Sequence, residues 1–138
     1  KPFLIVFLCV ILGPGLLVNG LFKEFWGRPR PADLSRFGST EQYRQFWDPG
    51  GPGSGKSFVC GHCAIAFSTC STIAFYPLHP VAASIGLGAG LIYGSLVSLT
   101  RLAQGGHFST DIIWSAVIVL TLIVVLYYFV FRIPEMDE

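Results

Sequence analysis

Residues 2–22 contain no charged side chain at all, from Pro2 to Phe22. A helix of that length, at a rise of about 1.5 Å per residue, crosses a hydrocarbon layer about 30 Å thick. Three more apolar stretches follow at residues 58–78, 81–100 and 108–131. Lipid offers no partner to backbone N–H and C=O groups, so such stretches fold as helices that satisfy their own hydrogen bonds. The expected fold is therefore all-α, an integral membrane helical bundle with four transmembrane helices. Composition agrees, because only 12% of the 138 residues are charged and 52% are hydrophobic, whereas soluble domains carry roughly 25% charge. A net charge of +1 gives neither the basic excess of a nucleic-acid binder nor an acidic, disordered tail.

The chain opens on Lys1 rather than Met and becomes apolar at once, so we expect it to begin partway into a longer protein. A secretory signal fits poorly, for want of a small-residue cleavage site after a short apolar core. Cys9, Cys60, Cys63 and Cys70 lie in or beside apolar segments, unlike the disulfide framework of a small secreted domain. Gly13-Pro14-Gly15 predicts a kink in the first span. Residues 23–57 form an extramembrane loop holding six Lys and Arg, four acids and a Gly/Pro/Ser-rich run over 49–55. In the second span, Ser68, Thr69, Ser71 and Thr72 are expected to face other helices, and in the third Gly86 and Gly90 make a small-xxx-small pair for close packing. A polar tail covers residues 132–138, and His79 reads as a loop residue.

Each span reverses the chain's direction. The long loop, the start of the second span, the turn from Arg101 and the start of the fourth span must then share one membrane face. Lys23, Arg28, Arg30, His62, Arg101, His107 and Asp111 converge there, and ionisable groups at membrane depth are costly enough to need a functional reason. His107 and Asp111 stand four apart, placing the carboxylate to accept the imidazole N–H and leave the other ring nitrogen as a nucleophile. His62 follows Gly61, and His107 follows Gly105-Gly106, so two helix N-termini point at one place. Orphan N–H groups, helix dipoles and several fixed cations favour a phosphate ligand there.

Lys23, six residues and then Arg30-Pro31 form one motif; Cys60-Gly61-His62 forms a second; Arg101, five residues, His107, three residues and Asp111 form a third. Together they resemble the three-part signature of the type 2 phosphatidic acid phosphatase superfamily, over the whole chain. The resemblance implies a single membrane phosphatase domain over residues 1–138, with four of a usual six helices, no metal and no cofactor. It implies that His107 attacks phosphorus to give a phosphohistidine, that Asp111 orients it, and that His62 protonates the leaving group and helps activate water. Lys23, Arg30 and Arg101 would hold the phosphate oxygens, with Cys60 and Gly61 supplying backbone N–H groups. Such chemistry is positioning plus charge stabilisation.

Three positions depart from the family pattern: Val59-Cys60 stands where Pro-Ser usually precedes Gly-His, and Thr100 stands where a serine usually precedes the arginine. A thiol is a weak donor, so either the backbone N–H of Cys60 carries the contact or the site is weakened. The Gly27-Arg28-Pro29-Arg30-Pro31 run and Lys56-Ser57-Phe58 are most similar to bacterial members, including lipid A phosphatases. Lipid A is therefore the first substrate choice, followed by phosphatidylglycerophosphate and polyprenyl pyrophosphate. The partners expected are a phospholipid or glycolipid phosphate and the bilayer, with no nucleic acid and no obligate protein partner.

Competing patterns were weighed. Gly50 to Ser57 matches a Walker motif in letters, but no strand precedes it, so it reads as a flexible loop with Lys56 near the site. Cys60-Gly61-His62-Cys63 lacks the further ligands of a zinc site and the spacing of a haem motif; packed thiols explain it, as apolar filling explains Cys9 and Cys70. Arg28 is expected to touch lipid headgroups or a substrate sugar. Phe25, Trp26, Tyr43 and Trp47 read as an interfacial aromatic belt. A non-catalytic lipid-binding protein of the same fold is the alternative, favoured by Cys60 and by the two helices missing from the usual six. Seven of nine Lys and Arg lie on the site face, which the positive-inside rule would place in the cytoplasm; the resemblance implies instead the periplasmic face of a bacterial inner membrane.

Overall fold

The computed structural model describes residues 1–136, so the last two residues of the expected polar tail lie outside the described residues. Four helices dominate: α1 (Pro2–Phe25), α2 (Gly61–Phe75), α3 (Pro80–Ala103) and α4 (Ser109–Val130). Among the described residues, α1, α3 and α4 are long and apolar enough to cross a membrane, and α2 is a shorter apolar helix. The chain is a helical membrane bundle.

The second span differs from its expected bounds of 58–78. Residues 58–60 stay non-helical, because they carry the chain across the start of α4, where Cys60 N–H donates to the Asp111 carbonyl at 3.3 Å. From Thr69 to Phe75 the helix tightens to 3₁₀ geometry. That geometry rises about 2.0 Å per residue, so α2 still reaches about 26 Å. Its hydroxyls turn back on their own helix: Ser68, Thr69, Ser71 and Thr72 each donate to the carbonyl three residues earlier, at 2.6–3.0 Å. Such back-bonding competes with the regular ladder and accompanies the tightened winding.

In α1 the expected kink site is absorbed by a widened, π-helical stretch over Ile11–Phe22. Pro14 has no N–H to give, and its carbonyl accepts from the Asn19 side chain at 2.7 Å. The small pair of α3 behaves as expected and extends by one turn. Side chains of α2 fill the space over each glycine: Thr72 over Gly86, Thr69 and Cys70 over Gly90, and Phe67 over Gly94.

These contacts set the topology. Phe3 packs edge-on against Phe75 at 4.9 Å, so α1 and α2 run antiparallel, as the glycine contacts show for α2 and α3. Gly13 lies against Val119 and Leu122, and Ser115 donates to the Cys60 carbonyl at 2.9 Å, which sets α4 parallel to α2. Helix α2 occupies the centre, burying Cys63, Phe67, Cys70 and Ala74 against Ile5, Cys9 and Val18 of α1 and Ile112, Val119 and Ile123 of α4. The end of α1, the start of α2, the end of α3 and the start of α4 meet at one end.

Candidate active site

The loop that crowns this end folds back onto the first motif. Gly27 adopts φ +69°, and a Cβ there would lie 1.9 Å from the Gly51 carbonyl oxygen. The Gly-rich run thus lies directly on the backbone of the first motif. Gly50 N–H donates to the Trp26 carbonyl and Ser57 N–H to the Arg28 carbonyl, both at 2.9 Å. Trp26 leaves the expected aromatic belt for this interior: its indole N–H donates to the Phe46 carbonyl at 2.7 Å, and its ring stacks on Phe58 at 5.0 Å. Phe25, Tyr43 and Trp47 remain exposed.

Ser57, delivered by this loop, meets the third motif. His107 sits before the N-cap residue of α4, Phe108, rather than on the helix. Its Nδ1 lies 2.7 Å from the Ser57 carbonyl oxygen. A carbonyl can only accept, so Nδ1 carries the proton and Nε2 is the ring nitrogen left with a free lone pair. The expected bond to Asp111 is replaced by this one, for Nδ1 and Asp111 Oδ2 stand 3.8 Å apart, beyond hydrogen-bonding range. Asp111 is occupied otherwise: Oδ2 accepts from Ser57 Oγ at 2.6 Å and from Phe108 N–H at 2.9 Å, and Oδ1 accepts from Arg28. The bond to Phe108 caps the first turn of α4 from position N3.

Arg28 therefore does not reach for headgroups or sugar. It is 1% exposed and donates to Asp111, to Thr110 Oγ1 at 2.7 Å and to the Arg44 carbonyl at 3.0 Å. Cys60 also differs from its expected place as a phosphate contact. Its N–H is spent on the Asp111 carbonyl, while its sulfur accepts the Cys63 N–H at 3.3 Å and caps α2. The same thiol interacts with the His107 side chain.

Lys23 lies over the start of α2. A Cβ on Gly61 would come within 3.1 Å of Lys23 Nζ and 3.0 Å of Asn19 Oδ1, so the bare glycine lets both approach the helix start. The charges of Arg30, Arg101 and Lys56 all act on Lys23, which makes one cationic cluster of the three expected phosphate ligands plus Lys56. Lys56 also pairs with Glu24 at 2.7 Å in an exposed bridge. Arg101, in the last turn of α3, donates to Gln104 at 2.8 Å, whereas its Nε is buried with no partner among the described residues. An orphaned guanidinium N–H costs free energy unless a ligand meets it. His62, on the first turn of α2, is exposed. Among the described residues no group of three His, Cys, Asp or Glu is placed to hold a metal ion.

Sequence reasoning missed Ser57 and Asn19 as members of this end. A lone amide four residues before Lys23 in an otherwise apolar span was the available signal for Asn19. Ser57 acts largely through its backbone and left no signal beyond its neighbour Lys56.

Three curated bacterial proteins, each named Lipid A 4'-phosphatase, are similar to the chain. The one from Francisella tularensis subsp. novicida (strain U112) is 31% identical over 138 residues, covering 98% of this chain and 61% of that protein. Those from Rhizobium etli (strain ATCC 51251 / DSM 11541 / JCM 21823 / NBRC 15573 / CFN 42) and Rhizobium leguminosarum are 33% and 32% identical, each over 75% of this chain and over 40% and 44% of the relative. The chain thus spans less than two thirds of the length of these relatives. No solved structure matches. The PAP2 superfamily matches residues 3–135, a range that includes all three motifs and every helix converging on His107, and the chain belongs to that superfamily.

Proposed function

We propose that this chain carries the active site of a metal-independent lipid phosphatase, with lipid A as the first-choice substrate. The observation that carries this reading is the pairing of a histidine whose Nδ1 is held by the Ser57 carbonyl with a cation cluster in which the buried Nε of Arg101 has no partner among the described residues. His107 Nε2 attacks phosphorus in line with the leaving oxygen and forms a phosphohistidine. Lys23, Arg30 and Arg101 hold the equatorial oxygens, and the buried Nε of Arg101 finds in them the acceptor it lacks. The start of α2 adds the N–H groups of Gly61 and His62, which have no intrahelical partner. His62, exposed beside them, protonates the leaving alkoxide and then takes a proton from the attacking water.

The lipid A assignment is supported by three relatives that carry that substrate in their names. Phosphatidylglycerophosphate and polyprenyl pyrophosphate follow it. The alternative, a non-catalytic lipid-binding protein of the same fold, is favoured by Cys60, whose N–H and sulfur are both engaged within the fold; phosphate release by the chain excludes it.

We place the site on the periplasmic face of a bacterial inner membrane. Of the seven cations counted against this placement, Arg28 is buried on Asp111 and Lys23, Arg30 and Arg101 are the proposed phosphate ligands, so Arg36, Arg44 and Lys56 are left to report on topology. Phosphate release from a panel of the three lipids, in EDTA, tests the function. Release that vanishes in His107→Ala supports it, and release that survives that change refutes the mechanism.

A further inference from the structure

Three candidate roles for Arg28 follow from its place inside the first motif: a fourth phosphate ligand, a structural tie, or a part of the machinery that aims the nucleophile. Burial argues against the first. Arg28 is 1% exposed, and its Cζ lies 4.1 Å from the centroid of the Phe108 ring and 5.7 Å from that of Tyr43, so aromatic rings cover the guanidinium.

The bonds from Arg28 lead instead to His107. Its Nη1 donates to Asp111 Oδ1; Asp111 Oδ2 accepts Ser57 Oγ; and Ser57 N–H returns to the Arg28 carbonyl. These three bonds close a ring in which every polar group is satisfied. The one group of Ser57 that faces out of the ring, its carbonyl oxygen, receives the His107 Nδ1–H. Asp111 stands too far from that nitrogen to hold it directly. An ion pair this deep is weak evidence for stability, since apolar residues of similar volume often serve as well. Its position against the attacking histidine suggests an orienting purpose, of the kind in which displacement by about 1 Å costs about 10²-fold in rate.

We propose that Arg28 and Ser57 are positioning residues for His107, acting through the Asp111 carboxylate and the Ser57 carbonyl without touching the substrate. The proposal rests on His107 being the nucleophile of a phosphatase.

The experiment compares wild type, Arg28→Met, Ser57→Ala, the double variant and His107→Ala in phosphate release from lipid A. The same proteins are examined by ¹⁵N NMR of the histidine rings, with folding checked by thermal unfolding in detergent. Arg28→Met is expected to lower kcat about 10²-fold and to leave KM within about twofold, because Lys23, Arg30 and Arg101 are untouched. Ser57→Ala lowers kcat about tenfold, since the serine carbonyl remains. The double variant is no worse than Arg28→Met, as groups acting as one unit are not additive. In the NMR spectra the Nδ1–H form of His107 dominates in wild type and gives way to a mixture in the variants.

Three outcomes would overturn the proposal: a KM increase at constant kcat, multiplicative losses in the double variant, or unchanged kcat and tautomer in folded Arg28→Met. If Arg28→Met does not fold, Ser57→Ala decides by the same kcat and tautomer readouts. Wild type that releases no phosphate, or His107→Ala that still does, defeats the functional reading instead, and the NMR result then still decides whether the ring holds the imidazole.

Discussion

The guanidinium of Arg101 passes so near the backbone of Gly106 that a Cβ at that glycine would lie 2.9 Å from its Nη2. The last turn of α3 and the residue before His107, the proposed nucleophile, are thereby tied to one another. Gly106→Ala must move the arginine tip and can leave the backbone in place, because the contact is with the far end of a flexible side chain. The expected result is a fall in kcat/KM of about tenfold, the worth of one charge-assisted hydrogen bond of about 1.5 kcal/mol. Thermal unfolding in detergent should be unchanged. Kinetics of phosphate release check this, and unaltered kcat/KM would remove Arg101 from the phosphate clamp.

The acid limb of the pH profile reports on His107. Burial disfavours its charged form, but the Asp111 carboxylate, Cys60 and the Ser57 carbonyl together outweigh that and raise its pKa above the ordinary 6.5. Only the neutral ring attacks, so kcat/KM should rise with pH through a midpoint above 6.5. The linked stability runs the other way: the fold binds this proton more tightly than the unfolded chain does. That contribution is complete below pH 6.5 and disappears as pH climbs through the folded pKa. A midpoint below 6.5 would contradict the prediction.

Cys60 offers a test of capping. Its sulfur accepts the Cys63 N–H, a duty that a serine hydroxyl performs better. Cys60→Ser should keep activity and raise the unfolding temperature, whereas Cys60→Ala should lower stability by about 1 kcal/mol. Paired unfolding curves in one detergent measure the difference. Equal curves for the two variants would mean that the sulfur contributes nothing as a cap.

The seam between α2 and α3 predicts contrasting effects at neighbouring glycines. A Cβ on Gly94 would fall 2.4 Å from the Phe67 ring, while one on Gly88 meets nothing within 4 Å. Gly94→Ala should cost about 1–3 kcal/mol, as overpacking does. Gly88→Ala should be neutral or slightly stabilising, since alanine is the better helix former. Thermal unfolding of the two variants checks both, and equal stability would show that the helices are not packed as closely as described.

The long apolar stretches made the bundle legible in the sequence, because their length against the bilayer admits few solutions. Motif spacing and the reversal of direction at each span brought Lys23, Arg30, Arg101 and His107 to one end. What stayed hidden depends on backbone groups and on close approaches that carry no side-chain signature. The tautomer of His107 is set by a carbonyl 50 residues away in the chain, and any residue type could have supplied it. Arg28 lies two residues before Arg30 with the same chemistry, yet only the folded loop decides that one is buried against Asp111 while the other is exposed. The late start of α2 goes with the backbone bond between Cys60 and Asp111, which hydropathy does not report.

The Gly-rich run over 50–55, packed on Gly27 and Arg28, looks like the kind of segment that tolerates added residues. One extra residue between Pro49 and Ser57 lengthens the chain by about 3.3 Å, more than the 2.7 Å that separates Ser57 from His107. This segment therefore has two kinds of position: an added residue beside Gly55 pushes on the backbone that delivers Ser57, whereas one at the exposed tip over 52–54 bulges into open space.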